Sequence, residues 1–78
     1  MSDKPPAEYA VILAYSTSRA LRAEKILLEA GIPCKLIPVP RHLSSDCGVC
    51  LRIAQEDVAR ARQTLDVANL EIEGIHDL

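Results

Sequence analysis

The stretch YAVILAYSTSRALRAEKILLEAGIPCKLIP, residues 9–38, decides the fold of this chain. Its first part, residues 9–15, is a short apolar run that is rich in strand formers and too brief for a helix. From Arg19 the apolar residues follow a helical period, and Gly31 is the type of residue that ends a helix. One face of this helix carries Ala20, Ala23, Leu27 and Ala30. Residues 34–38 form a second short strand, so the stretch predicts a strand, a helix and a strand.

The second half of the chain predicts the same order of elements. Residues 48–53 alternate between apolar and other residues, which predicts a strand. Residues 55–68 have the period of a second amphipathic helix, which Asn69 can close. Residues 70–75 make a last strand. The order of elements is therefore β-α-β-β-α-β.

This order predicts an α+β domain of the ferredoxin-like, split βαβ type: a four-stranded antiparallel sheet with two helices on one face. We expect the other face to stay open and to carry Cys50, Arg52, Ile12 and Ala14. Arg52 is there either a contact for an anion or a snorkelling surface side chain. An apolar open face of this kind invites a partner or a second copy of the chain.

Composition and charge argue against several classes of function. The 78 residues permit one core, so we assign residues 9–76 to a single domain and residues 1–8 to a flexible leader. A net charge of −2 and only two aromatic residues argue against nucleic-acid binding, which uses clustered Lys and Arg beside aromatic platforms. No apolar run approaches the ~20 residues that span a bilayer, and the N-terminus has no apolar signal core, so we predict no membrane contact. Three cysteines are too few for a disulfide scaffold, which indicates reduced thiols in the cytoplasm.

The topology is expected to bring polar residues to one edge of the sheet. The end of the first strand, the start of the first helix, the end of the second strand and the start of the third share that edge. The residues expected there are Ser16, Thr17, Ser18, Arg41, Ser44, Ser45, Cys47 and Gly48. Free N–H groups and the positive end of the helix dipole favour an anion at this place, and a thiolate is an anion. Cys47 is therefore a candidate nucleophile, and Gly48 leaves room for an approaching molecule.

Other interpretations of the cysteines stay open at this point. Cys47 is alternatively a small buried residue at a strand end, the common fate of a lone cysteine. Cys47 and Cys50 form a CxxC pair, but residues three apart on a strand point to opposite faces, so a disulfide needs a turn or bulge at Gly48. Zinc binding by this pair with Cys34 and His42 is disfavoured, because Cys34 lies at the far end of its strand. We predict neither a metal nor a cofactor.

The segment STSRALRAEKILLEAGIPCKLIPVPRHLSSDCGVCLRI, residues 16–53, resembles the small bacterial family described as putative Se/S carrier protein-like. The motifs of that family are a serine–threonine turn, an Ala-x-x-Ala-Glu-Lys-x-Leu helix, a Gly-Ile-x-x-x-Leu-Ile-Pro-x-Pro-Arg segment and a Ser-Ser-x-Cys-Gly-x-Ala-Leu-Arg strand. The matching residues here are Ser16 to Ser18, Ala20, Ala23, Glu24, Lys25, Leu27, Gly31, Ile32, Leu36 to Pro38, Pro40, Arg41, Ser44, Ser45, Cys47, Gly48, Leu51 and Arg52. The resemblance covers nearly the whole chain.

The resemblance implies a carrier of sulfur or selenium, with the family's cysteine at Cys47. We hypothesise that Cys47 accepts the chalcogen as a persulfide or perselenide from a cysteine desulfurase-like donor and passes it to an acceptor enzyme, without turnover of its own. Ser44, Ser45 and the helix N-terminus would stabilise the anion, and Arg41 would add charge or recognise the partner. Cys50 stands where the family motif has a small residue, so a resolving role for its thiol would be an addition in this member.

Two rival hypotheses belong to other classes of function. One is a non-catalytic interaction or regulatory module that docks or forms a homodimer through the open sheet face. The other is a thiol redox switch that forms a Cys47–Cys50 disulfide.

Overall fold

The computed structural model of the chain describes residues 8–43 and 48–78, which form four strands and two α-helices. The strands are β1 (Tyr9–Leu13), β2 (Lys35–Pro38), β3 (Val49–Ala54) and β4 (Gly74–Asp77). The helices are α1 (Thr17–Glu29) and α2 (Val58–Val67), and a 3₁₀ turn, Gln55–Asp57, precedes α2. The strand order is β2-β3-β1-β4, and every neighbouring pair is antiparallel. The predicted α+β, ferredoxin-like split βαβ fold is confirmed.

The main core lies between the two helices and one face of the sheet. Its buried residues are Ala10, Ile12, Ala23, Leu27, Ile32, Leu51, Ile53, Ala61, Leu65 and Leu70. Full burial of a Leu or Ile side chain contributes roughly 1.5–3 kcal/mol, so a few such side chains hold this thin two-layer domain together. Neither helix in the described part of the chain has the length and apolarity needed to cross a membrane.

The prediction of which β1 side chains lie on the open face of the sheet is wrong. Ile12 and Ala14 were expected on the open face, but Ile12 lies in the core beneath the helices and Ala14 packs against Ala20 of α1. Val11 and Leu13 point to the open face instead, in one cluster with Cys50. The reason is that residues 9–15 are apolar at every position, so the sequence holds no alternation from which to choose the phase.

Both helices end in the same hydrogen-bonded motif. Gly31 has a φ of 79° after α1, and Asn69 has a φ of 59° after α2. The Gly31 N–H donates to the Leu28 carbonyl (3.0 Å), and the N–H of the next residue, Ile32, donates to Leu27 (2.9 Å). Asn69 and the residue after it repeat this pattern at the end of α2. These are Schellman ends, as the positions of Gly31 and Asn69 predicted.

The last strand lies further along the chain than predicted. Residues 70–75 were expected to form it, but β4 runs from Gly74 to Asp77. The Leu70 N–H is used to close α2 by donating to the Leu65 carbonyl (3.0 Å), so this residue is not available to a strand ladder. Pairing with β1 begins where the Glu73 N–H donates to the Leu13 carbonyl (2.7 Å). The other strands differ from their predicted bounds by one or two residues, as is usual for element ends.

The predicted leader comprises residues 1–8, of which residues 1–7 lie outside the described part of the chain. The carbonyl of Glu8 accepts a hydrogen bond from the backbone N–H of Gln55 (2.8 Å). The backbone at Glu8 is thereby attached beside the end of β3.

Candidate functional site

The ends of several elements meet at one edge of the sheet. Leu13 at the end of β1 is paired with both Cys50 and Gly74, and Pro38 at the end of β2 is paired with Val49. The Val39 N–H donates to the carbonyl of Gly48 (3.3 Å), which continues the β2–β3 ladder past the strand end. We call this the Gly48 edge. It is the edge that the topology argument predicted.

The N-terminus of α1 lies at the Gly48 edge. Val49 packs in one cluster with Ala14, which follows β1, and with Ala20 in the first turns of α1. These apolar contacts fix the helix start next to the start of β3. The described residues therefore bring together the helix N-terminus and Gly48, which are two components of the anion site that the sequence predicts.

Three predicted polar residues begin helix α1. The side-chain oxygen of Ser16 accepts a hydrogen bond from the Arg19 N–H (3.2 Å), so Ser16 is the N-cap. Thr17 and Ser18 are exposed in the first turn. That turn contains no acidic residue, so no carboxylate of the helix neutralises the positive end of its dipole.

The loop between β2 and β3 is described only at its two ends. Arg41 and His42 are exposed in a turn that the Leu43 N–H closes by donating to the Pro40 carbonyl (3.0 Å). The chain is described again from Gly48, which is exposed; apart from its neighbours in the chain, no described residue has an atom within 4 Å of the place where a Cβ would stand. The predicted site residues Ser44, Ser45 and Cys47 lie outside the described residues.

Cys50 is fully buried on the open face of the sheet. It has an exposed fraction of 0% and lies with Val11 and Leu13 in a cluster that Ile37, Val39 and Leu43 cover. Its Sγ lies 3.9 Å from the carbonyl oxygen of Pro38, to which the thiol donates. In this conformation the thiol is closed to solvent, so a resolving role would first require residues 39–43 to move.

Arg52 lies on the open face but away from the Gly48 edge. Four residues of extended strand separate it from Gly48, or roughly 13 Å. Its guanidinium carbon lies 4.5 Å from the centre of the Tyr9 ring, a cation–π arrangement. Arg52 is therefore not in the same place as the predicted anion site at the helix N-terminus.

Cys34 lies at the opposite end of β2 from the Gly48 edge, just before Lys35. Its Sγ donates to the backbone carbonyl of Glu24 at 3.8 Å. Burial raises the pKa of the Cys34 thiol above its ordinary value, and the nearby negative charge of Glu24 acts in the same direction. This thiol is consequently a poor nucleophile near neutral pH. Among residues 8–43 and 48–78, His, Cys, Asp and Glu side chains form no group of three or more that would suit a metal ion.

The structure also contains features that the sequence did not reveal. A surface groove of about 880 Å³ runs beside α2 and is lined by Val58, Arg62, Asp66, Leu70 and Ile72 among others. On the open face, Lys35 and His76 lie in one row with Arg52. The only sequence signal for this row is the basic residues at alternating strand positions, and it has meaning only once the strand register is known.

Comparison with known proteins gave one match. The model of a family described as "Putative Se/S carrier protein-like" matches residues 8–77, which is nearly the whole chain. No curated protein and no solved structure matches the chain.

Proposed function

The chain belongs to the "Putative Se/S carrier protein-like" family, and from this membership we propose that it is a small carrier that holds sulfur or selenium on Cys47 and passes it to a partner enzyme. The family match over residues 8–77 is the observation that carries the proposal, because the matched region includes Cys47 and all the elements of the Gly48 edge.

The environments of the other two thiols support Cys47 as the acceptor. Cys50 is fully buried under apolar side chains, where a donor enzyme has no access to it. Cys34 is half-buried, and its raised pKa leaves little thiolate at neutral pH. Persulfide formation needs a thiolate that the donor can reach, and neither described cysteine meets both conditions. The same burial of Cys50 disfavours the Cys47–Cys50 redox switch as the main function.

The surroundings of Gly48 are consistent with a reactive thiol at the preceding residue. The space beside Gly48 is open, so a partner can approach the backbone there. The N-terminus of α1 lies at the same edge, has no acidic residue in its first turn, and favours a negative charge. The exposed Arg41 precedes the loop and is a further cation for partner recognition.

The proposed transfer is an exchange of sulfur between thiols with no net oxidation. The Cys47 thiolate attacks the outer sulfur of a persulfide on the donor enzyme; the donor's S–S bond breaks, and its cysteine leaves as a thiolate. A new S–S bond forms on Cys47, which becomes a persulfide. A nucleophile of the acceptor enzyme then takes the outer sulfur and releases the Cys47 thiolate. A perselenide would form and react in the same way.

Intact mass measurement tests this proposal. The reduced protein is incubated with a cysteine desulfurase and cysteine, and the wild type is compared with Cys47→Ser. Cys34→Ser and Cys50→Ala serve as matched controls, because each removes one thiol elsewhere in the domain. We expect the wild type and both controls to gain the mass of one sulfur atom and Cys47→Ser to gain none.

Two results would contradict the proposal. In the first, Cys47→Ser gains sulfur as the wild type does, so another group is the acceptor. In the second, the wild type gains neither sulfur nor, from a selenium donor, selenium, although its thiols can still be alkylated.

A further inference from the structure

The open face of the sheet carries a row of basic side chains. Lys35 on β2 is paired directly with Arg52 on β3, Arg52 with Val11 on β1, and Val11 with His76 on β4. Directly paired residues point to the same face, so Lys35 and Arg52 lie side by side and His76 lies in the same row beyond Val11. We call these three side chains the basic row. Tyr9, with an exposed fraction of 42%, lies next to it under the Arg52 guanidinium.

The acidic and the basic side chains of the described strands lie on different faces of the sheet. The acidic residue of β4, Asp77, is paired with the core residue Ala10 and so belongs to the helix side, where it accepts a hydrogen bond from the Gln55 side chain. In the described strands, the ionisable side chains on the open face are Lys35, Arg52 and His76, besides Tyr9 and the buried thiol of Cys50. The whole chain has a net charge of −2, so this face reverses the overall charge of the protein.

Among the described residues neither Lys35 nor Arg52 forms an ion pair, although Glu56 and Asp57 line the same depression of the surface. Lys35 and Arg52 are like charges directly opposite each other on neighbouring strands, an arrangement that destabilises a sheet. The ion pair found among the described residues joins Arg60 to Asp57, and the Arg52 guanidinium lies over the face of Tyr9. A partner carboxylate placed between Lys35 and Arg52 would attract both side chains and so offset the repulsion between them.

We propose that the basic row docks an acidic segment of a partner protein. Nucleic acid fits less well, because Arg52 already occupies one face of Tyr9 and no second Tyr, Phe or Trp lies in the strands on the described open face. A second copy of the chain fits less well too, because two open faces packed together would bring two basic rows into contact. The proposal holds whether or not Cys47 carries sulfur or selenium, since it concerns binding alone.

The remainder of the open face explains how such docking would serve a carrier. Beyond the basic row, towards the Gly48 edge, the face becomes apolar and Leu43 packs on it. Leu43 and Gly48 are the two residues that flank residues 44–47 in the sequence. A partner held on the basic row therefore lies on the face that leads to the loop with Cys47.

Fluorescence anisotropy with the full chain tests the proposal. The probe is a labelled peptide of alternating glutamate and serine, and its control is the same peptide with glutamine in place of glutamate. We expect the acidic peptide to bind more tightly, and its binding to weaken as salt is added. Lys35→Glu combined with Arg52→Glu should weaken binding by about tenfold or more, since two attractions become repulsions.

Matched variants separate this effect from a general loss of charge or of folding. Lys25→Glu makes the same change of charge as Lys35→Glu alone, but on the exposed side of α1, and should leave peptide binding within about twofold of the wild type. Lys35→Glu alone changes an exposed side chain, so it tests the row even if the double variant folds poorly.

Three results would overturn the proposal. The first is a Lys35→Glu variant that binds the acidic peptide as tightly as Lys25→Glu does. The second is equal binding of the glutamate and glutamine peptides by the wild type. The third is tighter binding of a single-stranded RNA of the same net charge, which would assign the face to nucleic acid.

Discussion

Replacing Ser16 with alanine is expected to lower the free energy of unfolding by about 1 kcal/mol. The Ser16 oxygen accepts the hydrogen bond of the Arg19 N–H, one of the donors that a helix start leaves without a partner inside the helix. The bond is 3.2 Å long, and Ser16 is only half-buried, so water replaces part of the lost interaction. A loss near the middle of the usual range for N-caps follows, rather than one near its upper end of about 2 kcal/mol.

Urea unfolding followed by circular dichroism measures this loss. For a domain of this size the dependence on urea is about 1 kcal/mol per molar, so the midpoint should fall by about 1 M. The melting temperature should fall by about 4–8 °C. Ser16→Asp is the matched variant, because aspartate is an equally good N-cap and should restore the stability.

The same two variants separate the structural role of Ser16 from its role at the Gly48 edge. Ser16→Ala should slow sulfur uptake only as far as it unfolds the protein. Ser16→Asp, although stable, places a carboxylate at the edge where the proposed thiolate must form, so its sulfur uptake should slow severalfold. The reasoning is refuted if Ser16→Ala is as stable as the wild type, or if Ser16→Asp takes up sulfur at the rate of the wild type.

Three further predictions concern the helix ends and Cys34. Gly31→Ala should lower the free energy of unfolding by about 1 kcal/mol, as measured by thermal unfolding. The added Cβ meets no atom within 4 Å, but a side chain is disfavoured at a φ of 79°. Asn69→Gly should instead raise the melting temperature, since it relieves the same backbone strain at a φ of 59°; a fall would contradict this account. Glu24→Gln should lower the pKa of the Cys34 thiol and so speed its alkylation at a fixed, mildly alkaline pH, because it removes a negative charge that opposes the thiolate. An unchanged rate in Glu24→Gln would show that burial alone raises this pKa.

The raised pKa of Cys34 also gives stability a pH dependence with a definite sign. In the unfolded chain this thiol ionises at its ordinary, lower pKa, so the folded state binds its proton more tightly. Its contribution to stability is fully present below the unfolded pKa and is lost as the pH rises through the folded pKa. The effect is small, because the side chain is only partly buried.

The sequence singles out Cys47 among the three cysteines, and the fold shows how the surroundings of Cys34 and Cys50 differ. The alternation of β3 predicts Cys50 on the open face, which the structure confirms, but only the fold shows that Leu43 and Val39 pack on it there. Cys34 follows a proline, and the sequence indicates only a packing role for it in a short strand. The packing of α1 on the sheet is what brings Glu24 next to it. Accessibility and pKa belong to the folded arrangement, which is why the sequence alone left several roles open for each thiol.

The sequence by itself determined the order of the elements and the helix ends. The periods of α1 and α2, and the glycine and asparagine after them, depend on local sterics and on hydrogen bonds between residues close in the chain. The β-α-β-β-α-β order then leaves few topologies, because crossover connections are right-handed. The sheet order and the elements that meet at the Gly48 edge followed from that rule.

Only the tertiary structure decided which side chains share a face of the sheet. The run YAVILAY is apolar throughout, so its phase was fixed by the core that forms beneath the helices, and the prediction for Ile12 and Ala14 was wrong. The start of β4 depended on pairing with Leu13, since the end of α2 uses Leu70, the first residue that had been predicted as strand. The basic row joins residues from β2, β3 and β4 that are distant in sequence. Contacts between distant strands depend on register, and register is set by burial of the whole sheet rather than by any local pattern.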